Sequence, residues 1–81
     1  GDKLTFVITY RNMGNTPIRD ASVVDSLLPR LEYVKGSARG PKGTAFRTGE
    51  NRVGSTELEW KLPNVIPPGA SGHVSFEAIV R

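Results

Sequence analysis

The feature that most restricts the fold of this chain is the clustering of its glycine and proline residues. The 81 residues include nine glycines and six prolines, and these divide the sequence into short segments rich in valine, isoleucine and threonine. Residues branched at Cβ favour extended strands over helices. No segment free of glycine and proline carries the apolar spacing of an amphipathic helix. The sequence therefore predicts an all-β chain.

Alternation of apolar and polar residues predicts five strands, over residues 4–11, 18–25, 31–34, 58–62 and 74–80. The second of these has no defined inner face, because Val23 and Val24 are adjacent. One apolar and one polar face per strand is typical of antiparallel sheets.

A long irregular stretch follows the third strand, over residues 36–54. Loops of this length are uncommon in compact domains. We therefore expect a short edge strand around Thr44 to Thr48.

The aromatic residues lie on the apolar sides of the predicted strands. We expect them to form the core rather than a sugar-binding platform, since a tryptophan of a sandwich is usually buried. The predicted core residues are Phe6, Ile8, Tyr10, Tyr33, Trp60 and Phe76.

Catalytic chemistry has little support in this composition. The chain has no cysteine, and its single histidine, His73, has Ser71 and Ser75 two residues away on either side. A nucleophilic site also needs an acid that orients the imidazole and an oxyanion hole, and this segment suggests neither. We predict that the protein is not an enzyme and uses no cofactor.

Metal binding is also weakly indicated. One histidine without cysteine gives no zinc ligand set. A calcium cage that includes Asp20 and Asp25 stays open as an alternative, and the other interpretation is that Asp25 caps the turn after it.

The positive charge of the chain is concentrated in one segment. Residues 35–52 carry a net charge of +4, whereas the whole chain carries +3. Such a local excess attracts polyanions, although charge can also serve solubility alone. The candidate contacts for an anionic glycan or cell-wall polymer are Lys35, Arg39, Lys42, Arg47 and Arg52. Nucleic acid is not expected as a partner, because the segment contains only one aromatic residue, Phe46.

An ordered set of short motifs runs through almost the whole chain. The motifs are Gly1-Asp2, Leu4-Thr5-Phe6, Asn12-x-Gly14-Asn15, Val24-Asp25, Leu31-x-Tyr33-Val34-x-Gly36-Ser37, Trp60 and Pro68-Gly69-Ala70-Ser71. This series resembles a bacterial surface-repeat family that is described as a conserved repeat domain of unknown function. The repeat occurs in a large cysteine-rich outer-membrane protein and in many long envelope proteins.

The resemblance implies an immunoglobulin-like antiparallel β-sandwich of about seven strands, with residues 1–81 as one domain of a longer, surface-exposed or secreted protein of the bacterial envelope. Its partners would be neighbouring repeats in the same chain, and its role that of a spacer without catalytic residues. Direct membrane insertion is not expected, because the longest apolar run has three residues. Seven strands are an odd number, so we also expect Leu4 and Val80 near opposite poles of the domain.

Overall fold

A computed structural model describes residues 1–50 and 55–81 of the protein. These residues contain six strands. They are β1 (Lys3–Arg11), β2 (Ser22–Ser26), β3 (Leu31–Tyr33), β4 (Ala45–Glu50), β5 (Thr56–Lys61) and β6 (Ser71–Val80). The described residues contain no helix. The prediction of an all-β chain is confirmed.

The strands are arranged in two antiparallel three-stranded sheets. The strand order is β1-β6-β3 in the first sheet and β2-β5-β4 in the second. The edge strand expected around Thr44 to Thr48 is present as β4, which pairs with β5. In β2, Val23 lies opposite the buried Trp60, so Val23 faces the core and Val24 faces solvent.

The second strand begins later than the alternation predicts. Asp20 has a φ of 53°, a left-handed conformation that interrupts an extended strand. The residues before it instead form an isolated bridge, in which Ile18 and Ile66 exchange backbone hydrogen bonds of 3.0 and 2.9 Å. This bridge ties the β1–β2 connection to the β5–β6 connection.

The core lies between the inner faces of β5 and β6. Trp60 and Phe76 are each 1% exposed, and their rings are in contact at a centroid distance of 5.7 Å. The other predicted core residues, Phe6, Ile8, Tyr10 and Tyr33, are partly buried and pack against this centre. Within the described residues, the Trp60 indole Nε1 has no hydrogen-bond partner, so burial of its ring rather than a polar contact holds it in place.

A buried amide fixes the loops at the end of the sandwich where β1 stops. Asn12 is 2% exposed, and its side-chain Nδ2 donates to the carbonyls of Thr16 at 2.8 Å and Ile66 at 2.9 Å. Its Oδ1 accepts from the backbone N–H of Gly14 at 2.9 Å. One side chain therefore closes the turn after β1 and joins it to the loop before β6.

The expectation that Leu4 and Val80 lie near opposite poles is wrong. Leu4 lies opposite Ala78 in the β1–β6 ladder, and the N–H of Val80 donates to the carbonyl of Asp2 at 2.9 Å. The expectation depended on an odd strand count, whereas β1 and β6 are the first and last of an even number of alternating strands in the described residues. Both ends of residues 1–81 are therefore at the same pole.

Replacement of Trp60 by alanine should remove the largest fully buried side chain. We expect Trp60→Ala to lower the free energy of unfolding by about 3–5 kcal/mol. That is a large part of the roughly 4–12 kcal/mol expected for a domain of this size. Urea unfolding followed by circular dichroism measures the loss. Val7→Ala, at a side chain that is 60% exposed, is the control and should change stability by less than about 0.5 kcal/mol.

Asn12→Ala should destabilise the fold through loss of three side-chain hydrogen bonds. Each hydrogen bond of this kind contributes about 0.5–1.5 kcal/mol to stability, so the urea midpoint should fall clearly. Asn12→Asp keeps the shape of the side chain but replaces the donating Nδ2 by an oxygen, which cannot donate to the carbonyls of Thr16 and Ile66. We expect this variant to be no more stable than Asn12→Ala. Asn15→Ala changes an exposed asparagine of the same turn and should have little effect. Equal midpoints for the variants at Asn12 and Asn15 would contradict this role of the amide.

Candidate functional site

The first part of the basic segment is held against the edge of β6 rather than free in solvent. The N–H of Val34 donates to the carbonyl of Glu77 at 2.9 Å, and Arg39 and Ser75 exchange backbone hydrogen bonds of 2.8 and 2.9 Å. Between these contacts, the Ser37 hydroxyl donates to the Val34 carbonyl at 2.6 Å and accepts from the N–H of Glu77 at 2.9 Å. Residues 35–39, here called the 35–39 turn, therefore bulge outward between two fixed points.

Ser37 holds the 35–39 turn against β6, a role that the sequence analysis did not assign to it. Its hydroxyl donates to Val34 and accepts from Glu77 of β6. This role could not be predicted from the sequence, because it depends on the pairing of β3 with β6. Gly36 precedes it with a φ of +83°, a left-handed conformation that glycine adopts without strain. The pair Gly36-Ser37 is the signal for this turn in the sequence.

The guanidinium of Arg39 is oriented by its own turn. Its Nη1 donates to the carbonyls of Gly36 at 2.8 Å and Ala38 at 3.0 Å. The three N–H donors of Nε and Nη2 make no hydrogen bond with the described residues and the side chain is exposed. Arg39 therefore presents a fixed fork of donors at the surface.

A surface pocket of about 300 Å³ lies between the 35–39 turn and β4. Lys35 and Arg47 both line it, together with the rings of Tyr33 and Phe46. Gly36, whose carbonyl accepts a hydrogen bond from Arg39, lines the same pocket. Two of the five predicted cations thus line one depression although twelve positions separate them in the sequence, and Arg39 lies on the same turn as Lys35, bonded to Gly36.

Part of the charge at this pocket is compensated. Arg47 lies directly opposite Glu59 in the β4–β5 ladder, and its Nε donates to the Glu59 carboxylate. Glu59 was not identified from the sequence, because only the register of the two strands shows which acid faces Arg47. Among the described residues, Lys35 at the pocket and Arg39 on the same turn form no ion pair.

The other two predicted cations do not join this group. Lys42 is exposed in a separate turn, which is closed by two hydrogen bonds from Thr44 to the carbonyl of Pro41 at 3.0 and 2.6 Å. Arg52 lies outside the described residues. The candidate site therefore consists of Lys35, Arg39 and Arg47.

The residues considered for catalysis and for metal binding lie at separate places in the described part of the protein. His73 borders a separate surface pocket with Arg39 and Pro41. Asp20 borders a pocket on the outer face of the second sheet, whereas Asp25 lies opposite the buried Leu58 on the inner face. The two aspartates are not brought together, and no group of three acidic or histidine side chains in the described ranges could hold a metal ion.

Comparisons with protein-family models, curated proteins and solved structures found no significant match to this chain. The resemblance drawn from the ordered motifs stays a prediction. None of the described residues forms a helix that could cross a membrane. The fold and the site together define a small β-protein of two sheets, with a surface pocket that is lined by cations.

Proposed function

We propose that this chain is a non-enzymatic, immunoglobulin-like module of a bacterial secreted or cell-surface protein, and that it binds an anionic polymer at the 35–39 turn and β4. The main support is the pocket lined by Lys35 and Arg47, next to which Arg39 is hydrogen-bonded to the Gly36 carbonyl of the same turn. Because the turn is hydrogen-bonded to β6 on both sides, the backbone that carries Lys35 and Arg39 is held in place before any ligand arrives, and the Arg39 guanidinium is bonded to two carbonyls of the turn. Preorganised donors bind at a lower entropic cost than those of a mobile loop.

The exposure of these cations favours a polymer over a single small anion. One exposed ion pair contributes about 0–1 kcal/mol in water. Affinity must therefore come from several contacts made by one ligand with repeated negative groups. The donor fork of Arg39 suits sulfate or phosphate oxygens, which accept two parallel hydrogen bonds. Sulfated glycans and anionic cell-wall polymers both have this chemistry.

Nucleic acid is a weaker ligand for this site. Single strands gain much of their affinity from bases stacked on exposed aromatic rings. The Phe46 ring contacts Tyr33 and Trp60 at centroid distances of 5.4 and 5.1 Å, so it belongs to the core packing. Tyr33 in turn accepts a hydrogen bond from the N–H of Ala38 at 3.3 Å.

A structural role within a larger surface protein is the second candidate, and the positions of Asp2 and Val80 alter its form. An in-line spacer needs its two ends at opposite poles, whereas these residues are hydrogen-bonded to each other. We do not propose residues 1–81 as an in-line spacer. With both ends at one pole, the module would project sideways from the polypeptide that carries it.

Removal of the three cations should abolish retention on a heparin column at low salt. The test variant combines Lys35→Ser, Arg39→Ser and Arg47→Ser, and elution is measured as the salt concentration at the peak. The control combines Arg11→Ser, Arg19→Ser and Arg30→Ser, which removes the same charge from other exposed positions. Equal loss of retention in both variants would show a response to net charge and overturn the proposed site. No retention of the unchanged protein would also overturn it.

A pair of single substitutions tests the role of Glu59 at the same site. Glu59→Gln releases Arg47 from its ion pair, so the variant should elute from heparin at higher salt than the unchanged protein. Glu57→Gln removes the same charge two pairs further along β5, opposite Gly49 rather than a cation, and should shift elution less. The same columns loaded with poly(glycerol phosphate) distinguish a phosphate polymer from a sulfated glycan.

A further inference from the structure

One lateral side of the molecule, formed by β1 and β2, is open. Each of these strands is at the edge of its sheet in the described residues. The contact between Tyr33 and Phe46 places β3 and β4 together on the opposite side. We name the side formed by β1 and β2 the open flank. Strand edges left unpaired offer backbone donors and acceptors to another strand.

The inner face of β1 is apolar but incompletely covered. Leu4 is 42% exposed, and Phe6 and Ile8 are only partly buried. The residues opposite them on β6, Ala78, Phe76 and Val74, are 0%, 1% and 0% exposed. The core is therefore dry at β6 and accessible to solvent one strand further out.

Asp25 lies on the other wall of the open flank. It faces inward from β2, opposite Leu58, which is 0% exposed. Asp25 is itself partly buried, and it has no hydrogen bond or ion pair to a side chain of the described residues. An inward charge on an edge strand opposes pairing with any strand that cannot neutralise it.

A second copy of this chain does not suit the open flank. Symmetric antiparallel pairing of two β1 strands about Val7 places Lys3 opposite Arg11, and like charges opposite each other are destabilising. The equivalent pairing of two β2 strands about Val24 places Asp25 opposite the apolar Val23. The first register sets like charges opposite each other, and the second leaves the Asp25 carboxylate facing an apolar side chain.

We propose that the open flank binds an extended peptide of a partner protein, which adds to the edge of β1 as a further strand. The inward side chains of the peptide are apolar where they face Phe6 and Ile8, and one of them is lysine or arginine where it faces Asp25. Backbone hydrogen bonds then supply affinity and the alternating side chains supply specificity, as in other cases of strand addition. The basic residue neutralises Asp25, so the carboxylate selects the partner.

Two synthetic peptides test this proposal, acetyl-Thr-Lys-Thr-Val-Thr-Val-Thr-amide and its reverse sequence, because the strand could run in either direction. Titration into the isotope-labelled protein is followed by NMR. One of the peptides should perturb the amides of β1 and β2 and slow hydrogen exchange in β1. Absence of saturable binding by both peptides, or perturbation of β3 and β4 instead, would overturn the proposal.

Substitutions at Asp25 test the charge requirement. Asp25→Asn should weaken binding of the lysine peptide about tenfold, a size common for a partly buried charge pair. Asp25→Lys should prefer a peptide that carries glutamate in place of lysine. Glu57→Gln, on the outer face of β5, is the control and should leave affinity unchanged. Equal affinity of the lysine peptide for the unchanged protein and the folded Asp25→Asn variant would refute selection by Asp25.

Discussion

Five aromatic rings in sequential contact join the two sheets through their side chains, and no strand of the described residues belongs to both sheets. The rings follow the order Phe6, Phe76, Trp60, Phe46 and Tyr33, with centroid distances of 5.0, 5.7, 5.1 and 5.4 Å. Three of them come from the first sheet and two from the second. The row crosses the whole sandwich from one lateral side to the other.

Both proposed sites lie at the ends of this aromatic row. Tyr33 and Phe46 line the pocket beside Lys35 and Arg47, whereas Phe6 forms part of the inner wall of the open flank. The rings at the centre are buried and the rings at the ends are partly exposed. Such a small domain has few residues for its core, so the same side chains build the core and the walls of the sites.

Alternation along single strands carried the sequence predictions that the structure confirms. The inner faces of β1 and β6 follow from the order of apolar residues, since a strand turns successive side chains to opposite sides. The facing of Val23 and Val24 could not be resolved in this way, because it depends on pairing with Trp60 in another strand. The Arg47–Glu59 pair and the Ser37 contacts also depend on register between distant segments. The partial burial of Phe6 and Ile8 depends on how far the second sheet extends over β1, and the alternation of residues along one strand does not predict that extent.

The proximity of Asp2 and Val80 has a mechanical consequence. Hydrogen bonds in an antiparallel pair are perpendicular to the strands. A force that pulls these two residues apart therefore acts along the bonds nearest the pole and breaks the β1–β6 ladder one pair at a time, from Lys3↔Ile79 toward Arg11↔Ser71. Opposite attachment points would load all pairs together in shear. Tension applied at Asp2 and Val80 therefore unzips the β1–β6 pair at low force. Separation of β1 exposes the aromatic row, beginning with Phe6.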